Sequence, residues 1–89
     1  MTEKKVAMLV RRNQAEALRV AGGLTLTDHE VAVYVMDRPL ADSPAVEEQL
    51  EVLEFADIEP IPAYPGGEGA VTAGELAERL PGYDLVLSL

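Results

Sequence analysis

Lys5-Val6-Ala7-Met8-Leu9-Val10-Arg11 is the stretch that decides the fold. Five consecutive apolar residues bounded by cations leave no face of a strand for water, and strands buried on both faces belong to parallel sheets. The same signature recurs further along. Val31-Ala32-Val33-Tyr34-Val35-Met36 is nearly all apolar and rich in β-branched residues. Leu85-Val86-Leu87-Ser88-Leu89 reads as a fourth buried strand. Ile58 to Tyr64 reads as the third, but Pro60 and Pro62 cannot donate to a ladder, so this strand is expected to be short, irregular or at an edge.

Helix-sized segments separate these runs. Asn13 with Glu16 three residues later reads as a helix cap with its reciprocal partner, followed by Ala17, Leu18, Ala21, Leu24 and Thr25 at helical spacing. Gly22-Gly23 weakens that helix, and close packing of helix against strand is the expected reason for it. Ser43 and Pro44 start a second helix with Val46, Leu50, Leu53 and Ala56 on its inner face. Thr72 and Glu75 cap a third, carrying Leu76, Ala77 and Leu80 and stopped by Pro81-Gly82. The order β-α-β-α-β-α-β demands right-handed crossovers. The expected fold is a three-layer α/β/α domain spanning residues 1–89, with a mostly parallel sheet of about four strands.

Length and charge narrow the rest. A chain of 89 residues buries about 60–65% of its unfolded surface, a thin core that self-association would extend. The chain has no cysteine, so a disulfide framework is excluded. No stretch approaches the ~20 apolar residues of a membrane span, and Met1-Thr2-Glu3-Lys4-Lys5 lacks the pattern of a secretory signal, so the cytoplasm is the expected compartment. Residues 1–38 carry six Lys/Arg and five acids, whereas residues 39–89 carry Arg79 against eleven acids. The net charge of −9 therefore resides in the second part, which repels phosphate backbones and argues against nucleic-acid binding.

Three stretches carry a family likeness: Lys5 to Val10 with its Ala/Gly/Leu-rich helix, His29-Glu30-Val31-Ala32-Val33-Tyr34-Val35-Met36-Asp37, and Tyr83-Asp84-Leu85-Val86-Leu87-Ser88-Leu89. Through them nearly the whole chain resembles the DsrE/DsrF-like family, which includes oligomeric subunits of bacterial sulfur-relay and sulfur-oxidation complexes. The resemblance implies a DsrE-like fold, a homo-oligomer, and a sulfur-relay protein as a partner. Active members hold a persulfide on a cysteine near the end of the third strand or in the loop after it. Here that region is Ala63-Tyr64-Pro65-Gly66-Gly67, without cysteine. Persulfide formation needs a thiolate, so the likeness extends to fold and assembly and leaves the sulfur-transfer step behind.

In open α/β sheets ligands bind outside the carboxyl ends of the strands. The residues expected there are Arg11, Arg12 and Asn13 after the first strand, Asp37 and Arg38 after the second, and Tyr64, Gly66 and Gly67 after the third. Three arginines beside a helix start suit an anion such as phosphate, sulfate or carboxylate. The plainer reading is that they punctuate strand ends or pair with Asp37. Pro65-Gly66-Gly67-Glu68-Gly69 lacks the Lys-Ser/Thr ending of a P-loop and the G-x-G-x-x-G spacing, and reads as an ordinary loop.

Other chemistries find less support. His29, between Asp28 and Glu30, makes no metal site, because neighbours on a strand point to opposite faces. Ser88 lacks a nucleophile elbow, and Glu47, Glu51 and Glu54 form a solvated stripe. Arg11-Arg12 stands where a phosphoacceptor domain needs acids. No cofactor and no catalytic residue is expected. The reading that follows is a non-catalytic, DsrE-like interaction or regulatory subunit. Its rival is a small-molecule binding protein or enzyme, taking an anion or nucleotide at the carboxyl edge of the sheet.

Overall fold

Val6 to Val10 lie in the interior of a four-stranded sheet, each buried, with a neighbouring strand on either side. In the computed structural model, which describes residues 4–89, β1 (Lys5–Val10) pairs in parallel with β2 (Glu30–Met36) and with β4 (Leu85–Ser88). Strand β3 (Ile61–Ala63) pairs in parallel with the far side of β2, giving the order β3-β2-β1-β4. The lead-in residues Met1, Thr2 and Glu3 lie outside the described residues. The register sets Met8 beside Val33 and Leu87 on one face, and Leu9 beside Tyr34 on the other.

Helices α1 (Gln14–Thr25) and α2 (Pro44–Phe55) connect β1 to β2 and β2 to β3. Both connections step in one direction, so crossovers of the same hand place both helices on one face. There Met8, Val10, Ala17, Leu18, Val33, Val46 and Leu53 form one core. Helix α3 (Ala73–Arg79) leads back across the sheet from β3 to β4, and its Leu76 joins Val71, Leu9 and Tyr34 in a second, smaller core. The three-layer α/β/α arrangement is therefore present. Among the described residues no helix is long and apolar enough to cross a membrane.

The helix starts separate two kinds of signal. Ser43 Oγ accepts the Val46 N–H, and Thr72 and Glu75 exchange both bonds of a capping box. Asn13 departs from expectation, because its side chain makes no capping bond. Glu16 pairs instead with Arg19, whose guanidinium holds the Glu16 carboxyl below the usual carboxylate range. Helix α2 ends in a Schellman turn: Asp57 and Ile58 N–H donate to the Glu54 and Leu53 carbonyls, with Asp57 at φ 59°.

Three further expectations need correction. A Cβ at Gly22 would lie 3.3 Å from Val52 Cγ1 and 3.8 Å from Leu53 Cδ2, so the close approach is between α1 and α2 and not against a strand. Strand β4 was expected to be buried, yet it lies at the sheet edge with Leu85 44% and Val86 42% exposed. Ala56 likewise lies exposed beyond the inner face of α2. The third strand spans Ile61–Ala63, at the opposite edge, as its prolines require.

In the smaller core the Tyr34 and Tyr83 hydroxyls lie 2.8 Å apart, with the rings edge to face at 6.3 Å between centroids. Burial, reinforced by the bond to Tyr34, pushes the Tyr83 hydroxyl up to about 12. A folded-state value above the unfolded one favours the neutral phenol, so this contribution is present below pH ~10 and is lost as pH rises toward ~12. A tyrosinate absorbance titration should therefore show late titration of Tyr83, accompanied by falling thermal stability. Tyr34→Phe should move that titration toward lower pH; an unchanged titration would contradict the shared bond.

Candidate functional site

The sheet changes winding direction between β1 and β4, since the chain moves from β1 outward through β2 to β3 and then returns to the other side. Such a switch point splays the loops at the carboxyl ends of the strands and opens a crevice. Here Arg11, Arg12, Asn13, Asp37, Ser88 and Leu89 line a depression of about 440 Å³.

Its geometry is set by Arg11. The Arg11 Nε donates to Ser88 Oγ at 2.9 Å, and Nη1 lies 3.4 Å from Asp37 Oδ2. One guanidinium therefore ties together the ends of β4, β1 and β2. Asp37 can serve because it occupies the left-handed region at φ 64°, which aspartate tolerates better than most residues. The Asn13 N–H donates to the Leu89 carbonyl at 2.9 Å, while the Asn13 carbonyl accepts the Ala17 N–H and so begins α1.

Beside this crevice a second depression of about 480 Å³ lies between the starts of α1 and α2, with Arg12, Gln14 and Ser43 among its walls. Gln14 is a buried polar residue that sequence reasoning missed. Its Nε2 donates to the Pro39 carbonyl at 3.1 Å and its Oε1 accepts the Ala41 N–H at 2.7 Å. Both ends of the amide are thereby satisfied, and the loop from β2 to α2 is fixed against the start of α1. A glutamine at the first turn of a helix gives no sign in sequence that it faces inward.

The eight candidate residues divide into two groups. Arg11, Arg12, Asn13 and Asp37 meet around the crevice. Arg38 is exposed, follows the left-handed turn at Asp37, and does not line it. Tyr64, Gly66 and Gly67 follow β3, which lies two strands from β1, about 10 Å away. Gly67 is needed there for packing: a Cβ would come within 2.7 Å of Pro62 Cβ and 2.9 Å of Tyr64 Cε2. Gly66 adopts φ 86°, a turn conformation that favours glycine.

Two of the three arginines in the set differ in how they are held. Arg11 is engaged by Asp37 and Ser88, whereas Arg12 is exposed and has no ion pair among the described residues. His29 Nδ1 accepts the Lys4 N–H at 3.3 Å, which ties the start of β2 to that of β1. Among the described residues no cluster of three or more His, Asp or Glu could hold a metal ion.

A further groove, of about 960 Å³, lies at the opposite end of the sheet, between the carboxyl ends of α1 and α2. Leu26, Val52 and Phe55 border it with much of their apolar surface in water. Sequence periodicity identified the inner face of α2 and passed over these residues. No protein-family model, curated protein or solved structure matches the chain.

Proposed function

We propose that this chain is a DsrE-like, non-catalytic subunit that associates with copies of itself and serves as an interaction or regulatory component of a larger assembly. The observation that carries this reading is the contrast between the two sheet edges. At one edge β3 is three residues long and contains Pro62, devices that discourage a further strand. At the other, β4 presents Leu85-Val86-Leu87-Ser88 without proline or internal charge, with Leu85 and Val86 nearly half exposed. An open apolar edge of this kind is a template for strand pairing. Two copies joined along β4 would cover both exposed side chains and extend a thin core.

The resemblance to sulfur-relay subunits adds a metabolic setting, with a cysteine-bearing relay protein as a partner. The chain itself has no thiol on which to carry a persulfide. Its role in such a setting is therefore to assemble or regulate. Val86→Lys places a charge on the edge while leaving the larger core untouched. Sedimentation velocity at micromolar concentration should show an oligomer for the native chain and a monomer for this variant. A native chain that stays monomeric throughout that range, or a variant that assembles equally well, would contradict the proposal.

A second reading, an anion- or nucleotide-binding protein, rests on Arg12, without an ion pair among the described residues, standing beside the start of α1, where backbone N–H groups favour negative charge. On this reading phosphate, sulfate or a nucleotide raises the melting temperature, and Arg12→Ala abolishes the rise. No stabilisation by any of the three would remove it.

A further inference from the structure

We propose that the apolar patch at the carboxyl ends of α1 and α2 docks a cationic amphipathic helix of a partner protein. Leu26 is 86% exposed, Val52 46% and Phe55 91%, and none of the three belongs to either core cluster. Phe55 is the only phenylalanine of the chain, and the fold itself makes no use of its ring. A ring of this size left in water forgoes the free energy that burying it would release. Gly22 and Gly23 lie along the adjoining groove, and a Cβ at Gly23 would meet nothing within 4 Å. Gly22 itself is buried against Val52 and Leu53 of α2, so the open wall of the groove is at Gly23, with apolar side chains along its rim.

Charge selects the occupant. Glu51 and Glu54 flank Phe55, and Glu30 and Asp57 stand at the groove. Of the cations at this end, Arg19 lines the groove and is paired with Glu16, and Lys4 and Lys5 stand at the start of β1, fewer than the carboxylates of Glu16, Glu30, Glu51, Glu54 and Asp57. The surroundings are thus predominantly anionic. A second copy presenting the same face would set Glu51 and Glu54 against their own counterparts, and an anionic bilayer would be repelled in the same way. A helix with apolar residues at i, i+3 and i+4 and flanking Lys or Arg satisfies both the apolar rim and the carboxylates. This site is separate from the β4 edge, so either can fail without the other.

A fluorescently labelled synthetic helix of leucine and lysine, about five turns long, serves as the probe in an anisotropy titration of the full chain. Saturable binding is expected, weakening as salt is raised from ~0.05 to ~0.5 M. Phe55→Ser should weaken it about tenfold or more without altering net charge. The double variant Glu51→Lys with Glu54→Lys should weaken it comparably, and Val86→Lys should weaken it far less. Circular dichroism and melting temperature close to those of the native chain confirm that the exposed substitutions leave the fold intact. No saturable binding, equal binding by Phe55→Ser, or equal binding of a leucine-glutamate helix would overturn the proposal. Self-association abolished by Phe55→Ser would also overturn it, because the patch would then belong to a second copy.

Discussion

The burial of β1 between two parallel neighbours is the constraint on which the other features depend. Because Val6 to Val10 are all withdrawn from water, both faces of the sheet must be covered and both sides of the strand must be paired. Covering one face requires α1 and α2, and covering the other requires α3. Pairing both sides makes β1 the point where the winding reverses. Its end therefore becomes the switch point, and the residues that follow it, Arg11 to Asn13, line the crevice. The place of the candidate site follows from the hydrophobicity of one strand.

How much could be read from sequence depends on whether a signal is local. The apolar runs at β1 and β2 are strong signals because they leave no charged position to confuse the period. Ser43 and Thr72 are equally legible, since a cap acts within three residues of itself. Asn13 shares the local pattern and fails, because its backbone, at φ −88° and ψ 65°, is not extended like that of Ser43 and Thr72, its N–H is used by Leu89, and Glu16 finds Arg19. Strand β4 shows the complementary limit. An apolar run states that a strand is hydrophobic, but only the strand order decides whether it is central or at an edge. The same applies to Gly22, whose neighbour on α2 lies thirty residues along the chain.

The site was legible in part for the same reason. That residues at strand ends gather at one edge of the sheet follows from topology, and Arg11 with Asp37 fits that rule. The division within the candidate set does not follow from sequence, because it depends on β3 lying beyond β2 and on β4 lying beside β1. Gln14 and Phe55 escaped notice from opposite directions. One is a polar residue turned inward, and the other an apolar residue turned outward. Both depart from binary patterning, and such departures concentrate where a fold meets another requirement. Gln14 stabilises the neighbourhood of the crevice, whereas Phe55 does nothing for the folded chain and offers its ring to the outside.

Two surfaces thus remain after the core is formed: an open strand edge and an apolar patch among carboxylates. The functional account rests on the first. Hydrogen exchange read residue by residue along β4 tests it most directly, since alternate amides of that strand point away from β1. Protection of those outward amides should rise as the protein is concentrated, while the β1 amides stay slow throughout. Outward β4 amides that exchange freely at every concentration would contradict the account.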